Sequence, residues 1–411
     1  MSFLYFTFIM VIVALGISLL LFVAQSLGPQ SITVSHGPNP NTQITEPIPE
    51  SVSEKEATPS HQPQDKVQDQ SLKRIEEYGI AGGGGLVFFD QKDLDQYFSL
   101  LQSTGVKWIR WDIDWSFVQP DNSKEFQWER TDRVAATAKR YGINSLGIIT
   151  YAPDWAAVKS CSVKSKCEPA DPKEFGRFAG EVALHYKDSI AYWEIWNEPN
   201  YNLFWGSKPD AKIYADVLRE AYTEIKKANS GSIVLSGGLT ATENERDKSI
   251  SPLTFMSTLY ASGANQYFDA VALHPYTYPA LPSFKAVFNY WQEILTVRKL
   301  MIDNGDEAKK IWITEFGAPT GGPGHSYNTN QLNGFEFGVD FMTEGAQLEI
   351  LTEASEFYHQ YAEWTGPFFW YSLKDNSNET DTSENFFGLL RSDGSKKPAY
   401  DVFRNIISSS Q

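Results

Sequence analysis

Beyond Arg74 the chain repeats one pattern, a short apolar run followed by a longer amphipathic stretch, and this limits the folds open to it more than any other feature. Apolar runs at 79–82, 108–112, 145–150, 191–196, 233–236, 270–274, 311–315 and 368–372 read as strands. Amphipathic stretches at 93–103, 131–141, 172–186, 211–229, 253–262, 283–303 and 347–364 read as helices, and 398–407 closes the chain as another. Eight strands, each followed by a helix, predict an α/β fold of the (β/α)8 TIM-barrel class, with a doubly wound open sheet as the alternative. The barrel is expected to occupy 74–411.

The upstream residues follow different rules. Residues 3–23 carry no charge, and an uninterrupted apolar run of about 20 residues is long enough to cross a bilayer. Residues 1–27 therefore read as a signal-anchor helix or a cleaved signal peptide: the run exceeds the usual signal core, and the basic flank of a signal is missing. Residues 28–73, rich in Pro, Ser, Thr, Gln, Asn, Glu and Lys, have too little apolar surface to fold and read as a disordered linker. The expected arrangement is an exported domain, membrane-anchored through the N-terminal helix, or secreted if that segment is cleaved.

A net charge of −16 disfavours partners held through phosphates, so no nucleic acid is expected. The only two cysteines, Cys161 and Cys167, read as a disulfide closing a small loop in an exported protein, against the alternative of two free thiols. A zinc site needs more ligands than this pair supplies, and neither a metal nor a cofactor is expected. Gly82-Gly83-Gly84-Gly85 lacks the Gly-Lys-Ser/Thr of a phosphate loop and reads as a flexible exit from the first strand. Nothing in the sequence specifies an oligomeric state.

Two strands end in chemistry. Tyr192-Trp-Glu-Ile-Trp196 runs into Asn197-Glu198-Pro199, and Lys310-Ile-Trp-Ile-Thr314 runs into Glu315. On a barrel, the C-terminal strand ends form the functional face, so Glu198 and Glu315 are expected to share it. Glycoside cleavage needs two such carboxyls, one to protonate the departing oxygen and one to meet the positive charge developing on the sugar. No Gly-x-Ser-x-Gly motif or Ser-His-Asp arrangement competes with that reading.

Over roughly 76–405 the chain resembles retaining glycoside hydrolases of the (β/α)8-barrel clan A, of the family 39 or family 5 type. The motifs that carry the resemblance are Trp196-Asn197-Glu198-Pro199-Asn200, Arg110-Trp111-Asp112, His274-Pro275-Tyr276, Thr314-Glu315-Phe316-Gly317 and Phe369-Trp370-Tyr371. The resemblance implies that Glu198 is the general acid/base and Glu315 the nucleophile. Asn197 is then expected to bind a sugar 2-hydroxyl, and Arg110 to hold Glu315 ionised. Tyr276 would donate to Glu315 or line a subsite, and His274 is either a site residue or a satisfied core histidine. Trp370 is expected to floor the sugar site, with Trp155, Trp205 and Tyr151 as candidates to extend it. Long segments after the fourth, sixth and seventh strands suggest a groove suited to an oligo- or polysaccharide. The expected function is retaining hydrolysis of O-glycosidic bonds, with a carbohydrate-binding protein on a hydrolase scaffold and a transglycosylase as the alternatives.

Overall fold

The computed structural model describes residues 77–285 and 289–410, so the expected N-terminal helix and linker lie outside the described residues. The strands are β1 (Tyr78–Gly83), β2 (Trp108–Asp114), β3 (Asn144–Thr150), β4 (Tyr192–Ile195), β5 (Ile233–Leu235), β6 (Ala270–His274), β7 (Lys310–Phe316) and β8 (Thr365–Trp370). Each pairs in parallel with its neighbours, β1 lies between β8 and β2, and Leu235 opposite Ala270 joins β5 to β6. The sheet therefore closes, and the open-sheet alternative falls. A two-residue continuation of β5, Leu239–Thr240, runs beside Leu273 and His274.

The helices are α1 (Gln91–Thr104), α2 (Glu129–Tyr141), α3 (Pro172–His185), α4 (Ala211–Ala228), α5 (Pro252–Ala261), α6 (Tyr290–Asp303), α7 (Glu344–Gln360) and α8 (Pro398–Ser409). Most begin at a short polar side chain that accepts from an otherwise unpartnered backbone N–H: Asp90, Asp171, Asp210, Ser251, Asn289 and Thr343 do so. The cap at Asn289 also explains why α6 starts at Tyr290 rather than at the expected 283. The Asn289 amide donates to the Leu281 and Pro282 carbonyls at 3.1 and 2.9 Å, holding those two residues outside the helix. Among the described residues no helix is long and apolar enough to cross a membrane.

Strand periodicity decides what fills the barrel. Alternate residues point inward, so Trp108, Arg110 and Asp112 share one face of β2 while Ile109, Trp111 and Ile113 face the helices. At the base of the barrel, Trp108, Leu146, Leu235, Ala272, Trp312 and Phe369 form a closed apolar plug. The Trp108 ring meets Trp312 edge-on at 5.3 Å and Tyr192 at 4.7 Å. Gly366 makes room for it, because a Cβ there would fall 2.3 Å from the Trp312 ring. One step up each strand the inward residues turn polar: Arg110, Glu194, His274 and Thr314 are all buried. The apolar plug thus supports a dry polar layer beneath the strand ends.

The Cys161–Cys167 disulfide is present, with Cα atoms 5.6 Å apart, and closes a small loop between β3 and α3. The eighth strand runs three residues ahead of its expected position, since Gly366 and Pro367, residues that ordinarily interrupt a strand, lie inside it.

Candidate active site

The end of β4 is held in an unusual shape. Trp196 and Glu198 both have left-handed backbones, with φ of 75° and 48°, a conformation that costs a non-glycine residue energy and is kept only where its surroundings enforce it. Here the enforcement is visible. The Trp196 indole donates to the Phe204 carbonyl at 2.8 Å, and Glu198 N–H donates to the Gly238 carbonyl at 2.9 Å. Asn200 then pins the following loop, donating to the Thr240 and Ile250 carbonyls and accepting from Thr240 N–H. The kinked strand end turns Asn197 and Glu198 over the barrel mouth.

Arg110 organises the layer below. Its Nε and Nη2 donate to the two oxygens of Glu194 at 2.8 Å each, Nη2 also donates to Asn197 Oδ1 at 2.9 Å, and Nη1 donates to Glu315 Oε1. Burial opposes the guanidinium charge, but Glu194 and Glu315 more than restore it, so Arg110 stays cationic. The other Glu315 oxygen accepts from the Tyr276 hydroxyl at 2.9 Å. His274 is fully enclosed, with Nδ1 2.9 Å from Glu198 Oε1 and Nε2 3.1 Å from Thr314 Oγ1. Burial pushes its pKa down to about 4, so it is neutral at ordinary pH. Gly238 is required beside it, since a Cβ there would lie 2.2 Å from His274 Nε2 and 2.7 Å from Glu194 Oε1.

Glu198 and Glu315 face each other, a carboxylate oxygen of each lying within 4.8 Å of the other and of His274. Burial pushes both carboxyls above their usual range. In Glu315 the Arg110 charge and the Tyr276 hydroxyl pull back toward ionisation, whereas Glu198 has only hydrogen bonds from the neutral His274 and from Thr240, with no cation beside it, and feels the charge of Glu315. A shared proton therefore resides on Glu198. The same three side chains are spaced closely enough for a metal ion, but both Glu315 oxygens already accept from Arg110 and Tyr276 and the Arg110 charge repels a cation.

The structure thus gathers Arg110, Asn197, Glu198, His274, Tyr276 and Glu315 at one point. Trp370 is not among them. Because Phe369 points into the barrel plug, alternation sends Trp370 outward, where it is fully buried and its ring packs on Phe316 at 6.0 Å. Its neighbour Tyr371 lines the cleft in its place. Trp205 is also core, 5.2 Å from Trp196, and Trp155 packs edge-on against Trp115, whereas Tyr151 does reach the cleft. Glu194 is the site residue that the sequence reading missed. Its signal was an acid at the inward position of an otherwise apolar strand, where only a buried cation can balance it. Truncating it to Ala strands part of the Arg110 charge and is expected to cost about 3–5 kcal/mol, measurable by urea unfolding, whereas a surface glutamate would cost next to nothing.

The central cleft holds about 470 Å³, and Glu198 and Glu315 both line it. A second cavity of about 560 Å³ shares Tyr201, Thr240, Tyr276, Tyr278 and Phe337 with it, and a third of about 500 Å³ shares Gly83, Gly84 and Tyr371. Together they make a groove with the two carboxyls midway.

Residues 149–392, more than half of the chain, match the family model described as the glycosyl hydrolase catalytic core. Among solved structures the chain is similar to a family 39 glycoside hydrolase from Bacteroides cellulosilyticus WH2, at 22% identity and a TM-score of 0.63, covering 82% of this chain and 64% of that one. It is also similar to the family 39 enzyme from Xanthomonas axonopodis pv. citri (15% identity, TM-score 0.62, 82% and 67% covered). A family 39 β-xylosidase from Caulobacter crescentus gives 15% identity and a TM-score of 0.60, with 82% and 72% covered. At these identities the likeness is one of fold, and the chain spans just under two thirds of the length of the first of these structures. A comparison with curated protein sequences gives no match. With a paired-carboxyl site at the strand ends of a closed barrel, the chain belongs to the glycosyl hydrolase catalytic core family.

Proposed function

We propose that the enzyme is a retaining glycosidase that cleaves β-linked sugars within an oligo- or polysaccharide by double displacement. The observation that carries this reading is the close approach of Glu198 and Glu315, with oxygens within 4.8 Å. Retention calls for carboxyls about 5 to 5.5 Å apart, whereas inversion needs about 6.5 to 9.5 Å to admit a water. Glu315 attacks the anomeric carbon while Glu198 gives its proton to the departing oxygen. Water then donates a proton to the ionised Glu198 and attacks the same carbon, releasing the Glu315 carboxylate. Asn197 supports the transition state: its oxygen accepts from Arg110, which aims its amide hydrogens toward a sugar 2-hydroxyl. Placing the hydrogen of His274 on Nδ1, with Thr314 donating to Nε2, commits Oε1 of Glu198 to accepting and assigns the catalytic proton to its other oxygen. Time-resolved NMR of the first product tests the proposal. Retention is expected, and an inverted first anomer would overturn it.

The pH dependence follows from the same electrostatics. Activity needs Glu315 ionised and Glu198 protonated, so the profile of kcat/KM is expected to be bell-shaped. Because burial and the nearby Glu315 raise Glu198, the alkaline limb falls above the usual carboxylate range. An alkaline limb within the ordinary range of a glutamate would contradict the assignment.

The groove supports action on a polymer. Phe337, 64% exposed, stacks on Tyr278 at 4.7 Å, and both line the central and the second cavity. Replacing Phe337 with Ala is expected to lower the ratio of activity on a hexasaccharide to that on a disaccharide by about 3- to 10-fold, the worth of one aromatic contact. An unchanged ratio would count against a polymer-binding groove. We further propose that the domain is exported, with 1–27 as its membrane anchor and 28–73 as a linker. The Cys161–Cys167 bond supports an oxidising compartment. Protease accessibility in intact cells, with carbonate extraction of membranes, tests this placement.

A further inference from the structure

Two charged side chains in the central cleft, Asp112 and Lys166, have no hydrogen-bond or ion-pair partner among the described residues. Asp112 stands two residues after Arg110 on β2, so its carboxylate shares the inward face and reaches the barrel mouth. Lys166 enters from the disulfide-closed loop, its ammonium 4.0 Å from the centre of the Tyr151 ring and 5.4 Å from that of Phe204. Among the described residues, neither side chain makes a hydrogen bond or an ion pair within 4.0 Å. The two nevertheless sense each other, since the Lys166 charge is the main influence drawing the Asp112 carboxyl down against the effect of its burial. Opposite charges this close would ordinarily collapse into a salt bridge. They are kept apart because Lys166 sits over an aromatic face next to a disulfide-linked residue, while Asp112 is fixed on a strand.

A gap between an acceptor-only carboxylate and a donor-only ammonium suits a pair of adjacent sugar hydroxyls, one donating to the acid and the next accepting from the amine. The position in the groove is also defined. Both residues line the central cleft with Glu198 and Glu315, and neither lines the second or the third cavity, so the pair addresses the sugar seated at the two catalytic carboxyls. The charge balance restricts the sugar further. With Glu198 holding the proton and Arg110 offsetting Glu315, Asp112 and Glu384 face Lys166 across the cleft, so once Glu384 ionises, near its raised pKa of about 7, a carboxylate or sulfate on the sugar would meet net repulsion.

We infer that Lys166 and Asp112 form a two-point grip on the sugar whose bond is broken, selecting a neutral glycone with adjacent free hydroxyls, and that the Cys161–Cys167 bond holds Lys166 in position for it. This rests on the glycosidase reading of the same cleft, so the test is a binding measurement that needs no turnover. In the Glu315→Ala protein, calorimetric titration with neutral β-linked gluco-, xylo- and mannotetraoses is compared with titration of uronate tetraoses. At least one neutral tetraose is expected to bind, and the uronates more weakly. Adding Lys166→Met or Asp112→Asn is expected to weaken that binding roughly ten- to a hundred-fold, the range for a hydrogen bond to a charged group. Removing the gripped hydroxyl from the ligand should erase the effect of each substitution, which a purely structural role would not do. The Cys161→Ser, Cys167→Ser double variant should weaken binding in the same direction. Equal binding by the parent, Lys166→Met and Asp112→Asn, preference for uronates, or no binding of any neutral tetraose would overturn the inference. Failure of the retaining mechanism would appear separately, as an inverted product anomer from the wild-type enzyme.

Discussion

Glu315→Ala is expected to lower kcat/KM by about 10⁴-fold or more on any glycoside the wild type cleaves, the scale on which removing a covalent nucleophile acts. The substitution removes the atom that bonds to the anomeric carbon, so no leaving group, however activated, restores the first step. The fold should survive it. Arg110 keeps its paired bonds to Glu194 and its bond to Asn197, so the buried cation is not stranded. Circular dichroism and urea unfolding check that point, leaving lost activity to be read as lost chemistry. External azide should take the place of the missing carboxylate and yield a glycosyl azide of inverted configuration. Wild-type-like turnover in this variant would remove the nucleophile assignment altogether.

Glu198→Ala is expected to behave differently because its partner step survives. On substrates with poor leaving groups the loss should be about 10²- to 10⁴-fold, the usual worth of general acid catalysis. On dinitrophenyl glycosides, whose leaving group needs no proton, Glu315 still attacks and the glycosyl-enzyme accumulates as a burst. Hydrolysis of that ester is then slow, since no base activates water. Azide needs no base and should restore turnover, giving a glycosyl azide of retained configuration. The alkaline limb of the pH profile should also vanish, because the group that titrates there is gone. A variant that shows neither rescue nor altered pH dependence would place the acid/base function on another residue.

The barrel was legible because its two repeating units, a strand with one apolar face in and one out and a helix with one apolar face, leave their periods in the sequence. Glu198 and Glu315 were legible for a related reason: each breaks an apolar strand at its end, where a polar residue has no structural purpose. Glu194 was not, since its role exists only once Arg110, 84 positions away along the chain, is brought beside it. The error at Trp370 came from strand register. Phe369, not Trp370, is the residue of β8 that points into the barrel, so alternation turns Trp370 toward the helices and the site passes to Tyr371. Lys166, Tyr201 and Phe337 belong to loops, whose course no periodicity records.

The crowding at Gly238 bears on how this enzyme can diverge. Every other amino acid there would drive atoms into the histidine and the glutamate that support the two catalytic carboxyls. A saturation library would therefore score this position as intolerant as Glu198 itself, although the glycine touches no sugar. Tolerance maps of such barrels will mark the spacers between reacting groups as strongly as the groups, and new specificities will have to arise from the loops, where Lys166 and Phe337 already stand.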